Sequence, residues 1–518
     1  MRYAHTVEQV RAAEGELLAR LPEGTLMQRA AAGLAVTCVE LLTEAQLRVY
    51  GSRVVVLAGS GDNGGDALFA GARLARRGAR VSVVLLSPER THAAGLADLR
   101  AAGGLLTAGQ DDGCAEIARA DLVLDGIVGI GGRGGLRAGA LPYVRAAERA
   151  GVPVVAVDLP SGVDADTGEV AGEAVRAAVT VTFGTHKPGL LVDPGAAYAG
   201  VVRLVPIGLE PPPAAAEALQ HADVAALLPR PTAESDKYRR GVVGIAAGSA
   251  RYPGAAVLAV SSAVHGGAGA VRYVGSASQE VVRAHPEVLV SERGLKQAGR
   301  VQAWVVGPGL SEGQDAERTL DEALDAGVPL LVDADGLRFL ARRGSALRAA
   351  PRPDLLLTPH AGEAVALLAG VGVTATREQV EASRLPYARQ LAELYGCTVL
   401  LKGSTTVVAA PGGGPVRVNP TGTPWLATAG SGDVLSGLAG SLLAAGLGPL
   451  DAGSVAAYLH GLAARTVGTS GGGPAGGTAG GAAAGAPITA AEVAAALPTA
   501  WRNVSGGARN VLSLRYPR

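Results

Sequence analysis

The chain has 518 residues, in which 46 lysines and arginines balance 46 aspartates and glutamates. A net charge of zero excludes a whole-chain electrostatic attraction to nucleic acid or to an anionic membrane. At 48% hydrophobic residues the chain can bury sizeable cores, and its length predicts two domains, or three, rather than one.

From the N-terminus, residues 6–46 read as helical, because Met27, Ala31, Leu34, Cys38 and Leu41 recur at three- and four-residue steps. Glu8 and Glu14 interrupt any apolar run there, so no signal peptide is expected. A strand over 53–58, a Gly-rich turn, a helix from about 66 to 77 and a strand over 80–86 follow. Further strands are predicted at 122–124, 152–157, 178–183 and 201–205, and this alternation implies a parallel sheet covered by helices on both faces. Gly208-Leu-Glu-Pro-Pro-Pro breaks the rhythm, since three prolines continue neither a helix nor a central strand, and reads as a linker.

A second alternating series begins near Tyr238, with strands predicted at 241–246, 303–306, 329–333, 354–358, 398–402 and 405–409. The apolar run 434–446 reads as a buried helix; no stretch approaches the ~18 apolar residues of a membrane span. Residues 469–487 are Gly-rich and predict a mobile surface loop, after which Thr489 is placed to cap a helix. Cys38, Cys114 and Cys397 lie too far apart for a disulfide framework or a Cys-based zinc site, which fits a reducing, cytoplasmic setting. Only four of the basic residues are lysines (Lys187, Lys237, Lys296 and Lys402), a bias that a GC-rich genome explains.

In the first half, Gly59-Ser-Gly61-Asp62-Asn63-Gly64-Gly65-Asp66 contains G-x-G-x-x-G between a strand and a helix, the context of a phosphate-cradling turn. A dinucleotide-binding dehydrogenase also wants an acid closing the second strand, and here the first one is Glu89, beyond Ser87-Pro88. Asn63 and Asp66 add oxygen ligands suited to a hard cation or a polar ring substituent; a tight turn with an Asp helix cap is the plainer alternative. Two more strand ends carry Asp125-Gly-Ile-Val-Gly129-Ile130-Gly131-Gly132-Arg133-Gly134-Gly135 and Asp158-Leu-Pro-Ser161-Gly. In parallel sheets ligands bind beyond such strand ends, so three polar ends converge on one crevice.

This set, with Thr185-His-Lys187-Pro-Gly, resembles the NAD(P)H-hydrate epimerase domain over residues 6–210. The resemblance implies a Rossmann-like three-layer domain that interconverts the R and S hydrates of NADH and NADPH. It further implies substrate contacts from 62–66, 129–135 and Asp158, an acid/base role for Asp158, and potassium held by Asn63, Asp125 and Ser161. The family usually has Asn-Asn-Gly-Gly-Asp-Gly; here Asp62 replaces the first Asn and Ala67 the last Gly, adding negative charge near a phosphate-bearing ligand.

In the second half, Thr428-Ala-Gly430-Ser431-Gly432-Asp433 runs into the apolar helix. Glycines at a helix start leave N–H groups pointing at an anion. An Asp there repels phosphate and makes sense as a base that takes a hydroxyl proton during phosphoryl transfer. Lys402-Gly403-Ser404-Thr405-Thr406, between two strands, offers a cation and three hydroxyls to a phosphate, in an order unlike a Walker A motif. Thr358-Pro-His360 and Gly307-Pro-Gly309 end two further strands. Asp333 and Asp335 end another, as helix caps or as magnesium or water ligands.

These motifs, with Ser235-Asp-Lys-Tyr-Arg-Arg-Gly and Pro253-Gly-Ala255, resemble the ribokinase-like ADP-dependent NAD(P)H-hydrate dehydratase domain over about 222–515. The resemblance implies that Ala255, Gly309, His360 and Asp433 contact the hydrate, and that 402–406 and Gly432 hold the nucleotide. It also implies phosphorylation of the ring hydroxyl by ADP, with magnesium on the diphosphate, then loss of phosphate to give NAD(P)H and AMP. The residues themselves leave ADP against ATP open.

The expected organisation is α/β throughout: an epimerase domain over 1–210, a linker over 211–221 and a dehydratase domain over 222–518. Partners are the small-molecule substrates, with no nucleic acid or membrane, and a homo-oligomer is expected. The rival readings are a small-molecule kinase of the ribokinase class with an accessory N-terminal domain, and a nucleotide-binding regulatory protein.

Overall fold

The computed structural model describes residues 1–344, 352–469 and 485–513, with side chains described to 506. Most of the Gly-rich stretch expected as a surface loop lies outside the described residues. The chain forms two compact units: one spans Tyr3–Ala216, and the other holds Met1–Arg2 and the described residues from Glu217 onward.

The first unit is built on a seven-stranded, wholly parallel sheet. Strand Arg53–Ala58 is central, with Arg80–Leu85 on one side and Leu122–Gly126 on the other. Its residues alternate between two cores, as the period of two requires. Val54, Val56 and Ala58 join Leu34, Leu42, Leu68 and Leu74, whereas Val55 and Leu57 join Ile117, Tyr143 and Val144.

The helix expected over 6–46 is two helices, Val7–Leu18 and Thr25–Glu44. Pro22 and Gly24 separate them, and Gly24 caps the second with φ +78°. The second helix has the length and apolarity to cross a bilayer, but Ala31, Leu34 and Cys38 are fully buried in the unit's own core. The next helix begins at Asp62, four residues before the predicted start, so Asn63 and Asp66 sit on its first turns rather than in a loop.

The second unit also has a mainly parallel sheet. Leu289–Ser291, Ala270–Val274, Val242–Ala246, Ala303–Val306, Leu330–Val332, Leu355–Leu357 and Thr398–Leu401 pair in that order, all parallel. Thr406–Ala409 and Val416–Asn419 then pair antiparallel. The turns before them carry no helix, and a parallel return needs a longer crossover.

Helix Ser431–Ala444 is buried without a break from Val434 to Ala444. Its glycines permit close approach: a Cβ on Gly437 would lie 1.9 Å from the Ala259 carbonyl oxygen of helix Pro253–His265. Thr489 caps the last helix, accepting from Glu492 N at 3.3 Å while Glu492 Oε2 accepts from Thr489 N at 2.8 Å. Of the segment 211–221 expected as linker, Ala216–Ala218 is a strand and His221 opens a helix.

Candidate active sites

Each sheet reverses direction of growth at one point, and at least part of each candidate site lies there. In the first unit the reversal falls between strands Arg53–Ala58 and Leu122–Gly126, where two Gly-rich turns leave the sheet side by side. Crevices at such points bind ligands because neighbouring connections diverge to opposite faces. The two turns touch so closely that a Cβ on Gly59 would fall 1.9 Å from the Ile127 carbonyl oxygen.

Asp125 is completely buried at the end of its strand. Its carboxylate accepts from Ser161 Oγ at 2.6 Å, Ser161 N at 2.9 Å and Ile127 N at 3.3 Å. Burial pushes this carboxyl up to about 6, opposed by the Ser161 hydrogen bonds. Asn63 donates its amide to the Val157 carbonyl, and a Cβ on Gly129 would meet Asn63 Oδ1 at 2.6 Å. The structure thus gathers Asn63, Asp125 and Ser161 around one turn.

Asp158 follows the next strand with φ +66°, a left-handed conformation that costs a non-glycine residue about 1–3 kcal/mol. Its Oδ1 accepts from Thr182 Oγ1 at 3.0 Å, from Phe183 N at 3.1 Å and from the buried Lys187 ammonium. Among the described residues Oδ2 has no hydrogen-bond partner. One oxygen is therefore anchored and the other is available to a ligand.

Burial and then the negative charges of Asp158, Asp62 and Glu14 hold Asp66 well above the usual carboxylate range. Its buried Oδ1 has no hydrogen-bond partner. Gly65 faces Met27 and His92 rather than the turn, while Arg133 and Gly134 stand exposed on it.

In the second unit the sheet reverses between Val242–Ala246 and Ala303–Val306. The loops beyond these strands bring Gly309 against Ala255: a Cβ on Gly309 (φ +62°) would lie 2.7 Å from Ala255 Cβ. Three strands farther along, Lys402 ends Thr398–Leu401 and bridges to His360. Its ammonium lies 2.7 Å from Asp333 and 3.7 Å from Glu363. Burial lowers the affinity of Lys402 for its proton, but the two carboxylates outweigh it and hold the ammonium above its ordinary value.

Asp333, itself buried, also accepts from Ser436 Oγ at 2.6 Å. A Cβ on Gly432 would lie 3.5 Å from Lys402 Nζ and 3.8 Å from Asp333 Oδ2. Asp433, on the first turn of helix Ser431–Ala444, accepts no hydrogen bond from any described residue. Burial first, and then the charge of Asp333, push its carboxyl up to about 7 against the opposing pull of Lys402. A carboxylate that titrates near neutrality and has a free oxygen is the form a general base takes.

His360 caps helix Ala361–Gly370, Nδ1 accepting from Glu363 N at 3.2 Å, with most of its ring exposed. In the 402–406 turn, Ser404 is exposed and Thr405 buried.

Comparison with known proteins covers both units. A family model described as NAD(P)H-hydrate dehydratase matches residues 243–472, and one described as YjeF-related protein N-terminus matches 23–189. The bifunctional NAD(P)H-hydrate repair enzyme Nnr of Mycobacterium leprae is 48% identical over 90% of this chain and 94% of its own length. The enzyme of the same name from Mycobacterium tuberculosis is 49% identical over 86% of this chain and 90% of its own. This chain belongs to the bifunctional NAD(P)H-hydrate repair enzymes.

Among solved structures, an ADP/ATP-dependent NAD(P)H-hydrate dehydratase from Bacillus subtilis, co-crystallised with ATP and Mg2+, is 30% identical. It covers 55% of this chain and 97% of its own, with a TM-score of 0.47. The repair-enzyme membership carries both activities, isomerase and lyase, and disfavours the accessory-domain kinase.

Several residues at the two sites of this repair enzyme escaped the sequence reading as site residues. Lys187 was legible as a rare lysine in a strand-end motif, but nothing local tied it to Asp158. Glu14 is raised by burial and by Asp158, and it lies on a helix remote in sequence. His460 is buried on helix Pro449–Gly468; burial drops it to about 4 against the opposing pull of the Ser431 backbone, so the ring is neutral near pH 7. Asp333 was singled out as a cap or magnesium ligand, whereas its carboxylate holds Lys402 and Ser436.

Proposed function

We propose that this repair enzyme epimerises the R and S hydrates of NADH and NADPH in its first unit and dehydrates the S form in its second. Asp158 is the acid/base group of the epimerase. Its Oδ1 is fixed by Lys187, Thr182 and Phe183, which leaves Oδ2 to take a proton from the substrate and return it. The turns 62–66 and 129–135 line the substrate.

Potassium is the cation whose chemistry fits Asn63, Asp125 and Ser161. One carboxylate among neutral amide, hydroxyl and carbonyl oxygens suits a hard monovalent ion, and no three His, Cys, Asp or Glu side chains cluster as metal ligands among the described residues. Bound there, the ion supplies positive charge for an anionic group of the substrate.

In the second unit Ala255, Gly309 and His360 contact the hydrate, and Lys402 to Thr406 with Gly432 hold the nucleotide. Asp433 takes the proton of the ring hydroxyl as its oxygen attacks the terminal phosphorus of ADP and AMP departs. The ring nitrogen's electron pair then expels phosphate, and loss of a proton from the neighbouring ring carbon of the resulting iminium restores NAD(P)H. Magnesium arrives with the diphosphate rather than on a preformed ligand set, since Asp333 is already filled by Lys402 and Ser436. The enzyme works in the cytoplasm as a homo-oligomer.

The observation that carries the dehydratase assignment is Asp433: a carboxylate at about 7, without a hydrogen-bond donor, beside Lys402 at a helix N-terminus. The test is absorbance at 340 nm with a mixture of R- and S-NADH hydrate, ADP and magnesium. Full recovery of NADH with release of AMP supports both activities. A stall at the S fraction removes the epimerase, and no recovery with ADP or ATP refutes the repair assignment for this chain.

A further inference from the structure

The helices that point their N-termini at the dehydratase site, Pro253–His265 and Ser431–Ala444, carry at their C-terminal ends a cavity of about 360 Å³. That volume is within the range of small-molecule pockets, roughly 300–1,000 Å³. Helices of this length set the cavity on the order of 20 Å from the catalytic groups. Its walls carry Arg230, Arg239, Arg240 and Arg502, with His265 and the ring of Trp501. No carboxylate lines it, and none of the four arginines forms an ion pair with any described residue.

The arginines are held in place by neutral groups. Arg240 donates to the Gly267 carbonyl at 3.2 Å, Arg230 to Ala225 O at 3.3 Å, Arg239 to Glu234 O at 2.8 Å and Arg502 to Thr499 Oγ1 at 2.8 Å. Each guanidinium has five N–H donors, so most stay available. Asp236 is near, but its Oδ1 is turned onto the Tyr238 and Arg239 backbone N–H groups at 2.7 and 3.0 Å. Four guanidiniums around a small cavity, of which only Arg239 interacts with a nearby carboxylate, that of Asp236, attract a multiply charged anion bidentately. Trp501, with Leu442 and Pro498, adds a flat apolar wall that suits a ring.

We propose that this cavity binds a phosphorylated aromatic anion of nucleotide size, at a site separate from both catalytic crevices. It gives a role to Ser235-Asp-Lys-Tyr-Arg-Arg, a motif that neither reaction uses. The test is calorimetric titration of the full chain with ATP, and separately with inorganic pyrophosphate. The wild type should take up one more equivalent of ATP than Arg239→Glu/Arg502→Glu does, while that variant keeps its kcat and KM for ADP. Arg502→Gln is exposed and bonded only within its own helix, so it tests the site without risk to folding; it should weaken the extra equivalent about tenfold. Pyrophosphate should bind more weakly than ATP, and Trp501→Ala should erase that difference. Equal uptake and affinity in the wild type and both arginine variants would overturn the proposal. Equal affinity for pyrophosphate and ATP would overturn the aromatic part of it.

Discussion

Replacing Asp433 with Asn should cost activity and add stability, for one physical reason. The carboxyl is raised from 3.8 to about 7, chiefly because burial penalises its charged form and Asp333 repels it. At 1.36 kcal/mol per pH unit, that difference amounts to roughly 4 kcal/mol, an upper bound because the group keeps some contact with solvent. A raised carboxyl stabilises the fold fully below about pH 4, and the stabilisation is lost as pH rises to about 7. Wild-type stability should therefore fall across that window and level off above it, whereas Asp433→Asn should show a flatter profile and a higher urea midpoint at pH 8. Trp304, Trp425 and Trp501 are the three tryptophans of the chain and all lie in the second unit, so their fluorescence follows that unit alone. The same variant should lose about 10²–10⁴ in the rate of NADH recovery at 340 nm from S-hydrate, the usual contribution of a general base. The wild-type rate should rise through about pH 7 as the base ionises. A variant that retains wild-type turnover, or that unfolds at lower urea than the wild type at pH 8, would sink the reasoning.

Three other outcomes follow from the geometry. The potassium concentration that half-activates epimerisation should rise as pH falls through about 6, because protonated Asp125 no longer attracts a cation; a pH-independent value would remove Asp125 from the ion site. Lys187→Met strands a buried carboxylate and should destabilise the first unit by about 3–5 kcal/mol, a drop in melting temperature on the order of 10 °C by circular dichroism; an unchanged transition would show that Asp158 does not need its partner. Gly307→Ala places a Cβ 1.8 Å from the Asp333 carbonyl oxygen at φ +129°, and should cost at least about 2 kcal/mol by urea titration as well as disordering the Lys402 anchor; a neutral result would mean the loop can shift freely.

The parts of this enzyme that announce themselves in sequence are those whose physics is local. The strand over 53–58 was readable as an unbroken apolar run because each of its faces meets its own core. The turns were readable because glycine is the only residue that lets two backbones approach as Gly59 and Ile127 do. What was hidden depends on distance along the chain. Glu14 enters the epimerase crevice from a helix that sequence spacing merged with the next one, since Pro22 and Gly24 were given no weight as a break.

The pairing of Lys402 with Asp333 spans 69 positions and four described helices, and no periodicity records it. That pairing also changes what the lysine does. Read locally, Lys402 is a free cation waiting for phosphate; in the fold it arrives already matched by Asp333 and Glu363. A nucleotide therefore enters a site whose positive charge is partly spent, and must compete for it with fixed carboxylates. The competition has a use: burial raises Asp433 first, and Asp333 and Lys402 then push it in opposite directions, so that its carboxyl stands at about 7 instead of at the ordinary carboxylate value. The lysine proposed to hold phosphate and the proposed base are thus tuned by the same buried aspartate, so that on this reading one strand end and one helix start serve both the nucleotide and the proton.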